Sequence, residues 1–389
     1  MSIMPEDVFG TFDQLLESEN PSAGFDLLLA RFRAAKDYRS VFEARLMKKR
    51  LELGLPVFLT DDLSAVPSEL REAYGQEVTE AARDVGELFL SDGEIAQAWP
   101  YLKATGDSAR VADAIERVTP GDDLNRIIEI ALEEGVHPAK GLELIAAKYG
   151  ICRALSVFEI SAVTKDREKC IAVLARNLHA ELVERLGDAI EQQEGSRPAS
   201  TSIAQLISGR EWLFGEYTTY VDSSHLVSLL QHCPEVTDAG LLRIFHELCE
   251  YGKRVSPEVR MQCQPPFEAG CIDFEHYVGA LLGIDVESHV AHFRRKVAEA
   301  EPERVVSLAA QALVGLLARL ARYDEALEVA LAHFPNAGSA DLACPAAPEL
   351  CRLAGRFDRL KELARERGDW LSYAAATLDA RALRVAGEG

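Results

Sequence analysis

Histidines and carboxylates are concentrated in one polar block of this 389-residue chain, between Glu216 and His292. Together these side chain types bind Zn, Mn or Fe, and they also serve as general acid–base pairs. The block is therefore where this chain could do chemistry, although no residue in it is assigned a catalytic role. The candidate binding residues are Tyr220, Asp222, His225, His246, Glu250, Asp273, His276, His289 and His292.

The first segment of the block, YVDSSHLVSLL, has the residues of a helix start. Asp222 or Ser223 can accept a hydrogen bond from the free amides of the first turn, so capping explains them without any chemistry. His225 is harder to explain, because a protonated imidazole in the first turn opposes the helix dipole. A neutral His225 held by Asp222 or Tyr220 would avoid that cost.

The second segment, TDAGLLRIFHELCEYG, is predicted to be a helix with Thr237 as its N-cap and Gly252 just past its C-terminus. His246 and Glu250 lie four residues apart on one face. They could be two ligands of one metal ion or an exposed ion pair. The segment is not an HExxH zinc motif, because Glu250 stands where the second histidine belongs.

Two further segments carry the remaining candidates. Asp273 and His276 are three residues apart, and so are His289 and His292, which share a helix face. Successive short helices lie side by side in a helical repeat, so these side chains could converge on a metal or acid–base site. A half-buried polar network between helices and scattered surface histidines are the two alternatives.

The elements that must position these residues are helices. Apolar residues recur with the helical period along almost the whole chain, and sustained strand alternation is nearly absent. Serial short helices predict an all-α fold in which helix-turn-helix repeats stack into a right-handed α-solenoid. The polar stretch SRPASTS is a linker candidate. The predicted regions are an N-terminal helical-repeat region at 1–195, a central region at 203–300 and a C-terminal repeat region at 301–389.

A 34-residue spacing appears near the C-terminus, where RYDEALEVA begins at Arg322 and RFDRLKELA begins at Arg356. The sequence LLARLARYDEALEVALAHFP resembles a tetratricopeptide repeat, most clearly over 316–367. Tyr323 takes the aromatic position that opens the second helix and Ala326 the small position between helices. Their counterparts one period later are Phe357 and Leu360.

Two residues depart from the tetratricopeptide pattern. Val314 replaces a preferred small residue, and Pro335 comes early. The resemblance implies a concave surface that binds peptides or other proteins.

The chain is acidic, with a net charge of -21 and a pI near 4.9. Such a surface repels phosphate backbones and anionic lipids, so we expect no nucleic acid partner and no membrane partner. The N-terminus has no secretory pattern and no apolar run is long enough to cross a bilayer, which predicts a cytoplasmic protein. The eight cysteines form no CxxC pair and are expected to be reduced.

The leading functional hypothesis is a non-enzymatic helical-repeat protein that binds a protein or peptide, possibly a basic one, on a concave surface. No cofactor is required by this hypothesis. The alternative is a metal-dependent or acid–base enzyme that uses the histidines and carboxylates of 216–292, with a divalent metal as its possible cofactor. A structural subunit whose groove is filled by its own helices is a third possibility.

Overall fold

A computed structural model describes residues 6–18, 20–58, 66–121, 124–161, 163–300 and 307–387. Within these residues the regular secondary structure is entirely helical and contains no strand, which confirms the all-α prediction. The predicted start of the third region, at 301, lies outside the described residues.

The helices of the first half follow each other with short connections. They are α1 (Glu6–Leu16), α2 (Ser22–Ala34), α3 (Tyr38–Glu52), α4 (Arg71–Ser91), α5 (Ile95–Ala104), α6 (Ser108–Glu116), α7 (Asn125–Leu132), α8 (Pro138–Tyr149), α9 (Ile151–Ile160) and α10 (Arg167–Glu194). The last of these is one continuous helix of 28 residues.

The second half has the same character. Its helices are α11 (Ile203–Ile207), α12 (Ser223–Leu230), α13 (Ala239–Arg254), α14 (Cys271–Leu281), α15 (Val286–Glu299), α16 (Leu308–Arg319), α17 (Tyr323–His333), α18 (Ala347–Leu353), α19 (Phe357–Arg367) and α20 (Trp370–Gly387). Short 3-10 helices lie at Glu211–Leu213, Cys233–Glu235, Pro257–Val259 and Ser339–Asp341. None of the helices described is both long and apolar enough to cross a bilayer.

One type of turn joins five of the helix pairs. Its first residue has a left-handed backbone with φ between 57° and 82°, and this residue is Lys36, Gly93, Gly106, Ala321 or Gly355. The residue after it is the N-cap of the next helix, with φ between -85° and -91° and ψ between 57° and 72°. In each turn the N–H groups of the first and second residues donate to carbonyls three and five residues earlier. These are the two bonds of a Schellman motif, which satisfy carbonyls left free at the helix end.

The positions that resemble a tetratricopeptide repeat fall at equivalent places in α17 and α19. Tyr323 and Phe357 are the first residues of the two helices, which begin 34 residues apart. Ala326 and Leu360 are both buried where the helices pack. The local helix pairs are thus present, and the stacking of these pairs into a solenoid stays a prediction.

Packing divides the chain into two compact units. The first is Met1–Gly150 with Phe158–Arg167, and the second is Ile151–Val157 with Glu168–Gly389. The core of the first unit includes Tyr38 and Phe89, whose rings meet edge to face at 5.1 Å. The polar block lies in the second unit, on α12 to α15. The three regions predicted from the sequence stay a prediction.

Candidate histidine and carboxylate site

The helix that carries His246 and Glu250 is held at its N-terminus by two carboxylates. Asp238, and not the expected Thr237, is the N-cap, and its side chain accepts from the Leu241 amide at 2.7 Å. Glu168 accepts from the amides of Thr237 and Asp238 at 2.6 and 2.8 Å, and from the Thr237 hydroxyl at 2.7 Å. Thr237 therefore donates to another helix instead of capping its own, and the start of α13 is fixed by bonds from outside it.

Gly252 does not end α13, contrary to the sequence expectation, because the helix continues to Arg254. Gly252 is buried, and a Cβ atom there would lie 2.3 Å from the Cys271 Sγ and 2.9 Å from the Leu226 Cδ2. The absence of a side chain lets α12 and α14 approach α13 closely. The glycine signals close packing here and not a turn.

His246, Glu250 and Glu275 form one cluster. His246 and Glu250 lie one turn apart on α13, and Glu275 comes from α14, which packs against it. One ligand atom from each of the three side chains lies within 4.8 Å of the other two. All three side chains are partly buried. The predicted pair His246 and Glu250 thus acquires a third member that sequence reasoning missed.

Lys253 is the cation of this cluster. Its Nζ lies 2.7 Å from the Glu250 Oε1 and 3.3 Å from the Glu275 Oε2. Burial works to lower the pKa of the Lys253 ammonium, but the two carboxylates outweigh burial and the pKa lies above its ordinary value. Two carboxylates against one ammonium leave the cluster with a net negative charge.

A second polar group lies between α14 and α15, centred on the fully buried Asp273. The Asp273 carboxylate accepts from the His292 Nε2 at 2.7 Å, from the Lys296 Nζ at 2.6 Å and from the Ala269 amide at 2.8 Å. Lys296 also lies 3.0 Å from Glu268. Asp273 is therefore a buried carboxylate whose charge is balanced and whose hydrogen bonds are made. The histidine that donates to it is His292 and not the nearby His276.

The three histidines of α14 and α15 contact each other. The Nδ1 atoms of His276 and His289 are 2.8 Å apart, and the rings of His276 and His292 stack at 3.9 Å. Burial and the neighbouring His292 lower the pKa of His276 to about 4. Burial also lowers the pKa of His289, which lies within electrostatic reach of Glu275 and His246. The lowered pKa values favour neutral His276 and His289 at pH 7, and these two rings lie between the Asp273 group and the His246 cluster.

Gly279 makes room for one of these rings. A Cβ atom at this position would lie 2.5 Å from the Nε2 of His289. Gly279 stands one turn after Glu275 on α14, so the same helix face that supplies a carboxylate also admits an imidazole from α15.

Three predicted candidates do not join the site. Asp222 is the N-cap of α12, as expected, and accepts from the Ser224 amide at 2.7 Å. The backbone amide of Tyr220 donates to the Tyr251 hydroxyl at 2.8 Å. In the described part of the chain, no hydrogen bond joins His225 to Asp222 or Tyr220. These three residues belong to a helix start and its packing.

The remaining six candidates lie on three successive helices and form two adjoining groups. No family model, characterised protein or solved structure matches this chain. The chemistry of the site must therefore be argued from its own atoms. It can hold a cation through His246, Glu250 and Glu275, and protons can be shared within two separate pairs, Asp273 with His292 and His276 with His289.

Proposed function

We propose that the chain is a helical-repeat protein that binds a protein or peptide partner on a concave surface of a right-handed solenoid. The observation that carries this proposal is the recurrence of one Schellman turn at five helix pairs, with the same dihedral angles and the same two hydrogen bonds. Because the five turns share similar dihedral angles, we expect similar angles between the helices that they join. Hairpins of equal geometry stack side by side because none of them can bury its apolar face alone.

The consecutive hairpins α16–α17 and α18–α19 support this stacking most directly. Arg356, the N-cap of α19, lies 2.7 Å from Asp324 in the first turn of α17. The contact therefore joins the N-terminal ends of α17 and α19, which are the second helices of two consecutive hairpins. The resemblance of this segment to tetratricopeptide repeats carries the same implication, a surface shaped for an extended peptide.

The charge of the chain points to the chemistry of the partner. A net charge of -21 favours a basic partner and attracts it at long range. Exposed apolar residues supply the other half of an interface, and Trp370 and Leu371 at the start of α20 are 82% and 85% exposed.

Selection of peptides against the full chain tests this proposal. We expect a displayed library of random peptides to yield basic peptides whose affinity weakens as salt is raised, because screening removes the long-range attraction. Hydrogen exchange with a bound peptide should protect equivalent helices of neighbouring repeats together, either α16 with α18 or α17 with α19. Failure to enrich any sequence, or protection confined to one loop, would contradict the proposal.

Scattering in solution tests the solenoid itself. A stack of hairpins predicts a radius of gyration clearly above that of a compact 389-residue globule, which is about 21 Å. A value at the globular limit would remove the concave surface on which the proposal depends. The metal-dependent or acid–base enzyme stays a separate prediction.

A further inference from the structure

We propose that His246, Glu250 and Glu275 form a binding site for a divalent transition-metal ion, with Lys253 as the built-in cation that competes with the metal. The site is independent of the proposed partner-binding function. It needs only α13 and α14, which pack directly against each other.

The spacing of the donor atoms suits a metal. The three ligand atoms lie within 4.8 Å of one another. Metal bonds to imidazole nitrogen and carboxylate oxygen are about 2.0–2.2 Å long, so donors around one ion lie about 3–4 Å apart. Side chain rotations are enough to close the remaining gap, because both carboxylates are on flexible glutamates and the helix backbones need not move.

The imidazole of His246 differs in its contacts from three other histidines that lie beside a glutamate. His137, His179 and His232 each make a direct contact with a glutamate, at 2.9, 2.8 and 2.9 Å. Among the described residues no hydrogen bond reaches His246, although two carboxylates lie near it. One of its nitrogens lies within 4.8 Å of an oxygen of each glutamate without a hydrogen bond, which leaves room for an ion between the three atoms.

The donor set selects the class of metal. One imidazole and two carboxylates suit Zn²⁺, Mn²⁺, Fe²⁺ or Co²⁺, whereas Ca²⁺ and Mg²⁺ prefer oxygen alone. The affinity of such nitrogen and oxygen sites rises from Mn²⁺ through Fe²⁺ to Co²⁺. Three protein ligands leave one coordination position of the metal for water. In metal sites of this kind, the water can be exchanged for another ligand.

Lys253 sets the strength of the site. Its ammonium contacts Glu250 and Glu275, and each of these carboxylates has a second oxygen that remains for a metal. The ammonium compensates part of the negative charge that attracts the ion. Removal of this one positive charge should therefore tighten metal binding, whereas the same change in a simple ion-pair cluster would only weaken the fold.

Titration of the metal-free full chain with Zn²⁺ and with Co²⁺ tests the site. We expect one site whose dissociation constant rises about 100-fold or more in Glu275→Gln and in His246→Asn, since even the outer partners of metal ligands contribute about 10- to 100-fold. Glu235→Gln is the matched control, because it alters a histidine and glutamate pair of the same unit that, among the described residues, belongs to no group of three metal ligands. The Zn²⁺ affinity of this variant should equal that of the wild type. The Co²⁺ spectrum should lack thiolate charge-transfer bands, which excludes the free cysteines as ligands.

Lys253→Gln is the variant that separates a metal site from a structural network. We expect Zn²⁺ to bind about tenfold more tightly, and to restore the thermal stability that the variant loses without metal. Circular dichroism verifies that each variant is folded. Zn²⁺ binding that is unchanged in Glu275→Gln and His246→Asn, or weaker binding in Lys253→Gln, would overturn the proposal.

Discussion

Glycine has opposite roles in the repeated hairpins and in the α13–α15 region. In the hairpins it lies in the turn, as at Gly355, where the backbone is left-handed and open space surrounds the position of a side chain. In α13 and α14 it lies inside the helix, where Gly252 and Gly279 leave room for Cys271 and His289. The first use ends a helix and the second lets two helices approach.

The α16–α19 hairpins and the α13–α15 region also differ in the side chains that pack at these positions. The hairpins pack apolar faces, with Ala326 and Leu360 buried between helices. Close approach at Gly279 instead brings the His289 ring against α14, where its Nδ1 atom lies 2.8 Å from the Nδ1 atom of His276. Buried polar groups persist where each has a partner, and such a network makes the packing of its helices specific.

The largest effect is expected from Asp273→Asn, which removes the buried charge of the α14–α15 group. Lys296 and His292 then lose a buried partner, and we expect the free energy of unfolding to fall by about 3 kcal/mol. The matched control is Asp324→Asn in the hairpin region, where the ion pair is more than half exposed and solvent screening leaves it only a small contribution to stability. Urea unfolding measures both, and equal losses would remove the distinction between the two regions.

Gly279→Ala is expected to have the next largest effect. The added methyl meets the His289 ring at 2.5 Å, so we expect a loss of about 2 kcal/mol from overpacking. Gly75→Ala is the control, because Gly75 also lies inside a helix but has nothing within 4 Å of its Cβ position. That change should stabilise the protein by about 0.5–1 kcal/mol. An unchanged free energy of unfolding in Gly279→Ala would show that α14 and α15 do not meet closely at this glycine.

Glu168→Gln should cost about 1–2 kcal/mol at pH 7, because charge-assisted bonds to the start of α13 are weakened. Burial raises the pKa of Glu168, but bonds from Asp238 and Thr237 outweigh burial and hold it below the ordinary value. The stabilisation is therefore complete above the ordinary glutamate pKa and is lost as pH falls through the lowered one. Thermal unfolding of wild type and variant should converge in acid. A difference that grows in acid would reverse the assigned sign.

The smallest effects are expected in the repeated turn. Ala321 has φ of 58°, which costs a side chain about 1 kcal/mol, and Gly355 holds the equivalent position. Ala321→Gly should therefore stabilise α16–α17 by up to about 1 kcal/mol, and Gly355→Ala should destabilise α18–α19 by a similar amount. Changes of the same sign in the two variants would show that the two turns are not equivalent.

Much of the fold is encoded by interactions between residues a few positions apart. Helical periodicity predicted the all-α fold, and the cap at Asp222 followed from a side chain and an amide two residues away. The shared face of His246 and Glu250 followed from their spacing of one turn. Local rules misplaced the ends of α13, because Thr237 is recruited by Glu168 and Gly252 is required by a neighbouring helix.

The parts of the site that escaped prediction depend on how helices are rotated against each other. Glu275 enters the cluster only because α13 and α14 meet at that register. Lys253 lies three residues after Glu250 on α13, a spacing that is visible in the sequence, and only its contact with Glu275 depends on the register. The bond between Asp273 and His292 likewise joins two helices, and no spacing within one helix signals it. The segment that first suggested chemistry, around His225, is a helix start. The histidines and carboxylates that converge lie on the three following helices, α13 to α15.

Diffraction at the zinc absorption edge, from crystals of the full chain grown with Zn²⁺, tests the central claim that α13 and α14 build a cation site. We expect one anomalous peak about 2.0–2.2 Å from a nitrogen of His246 and from carboxylate oxygens of Glu250 and Glu275. A map without density there, in which Lys253 alone bridges the two carboxylates, would contradict it.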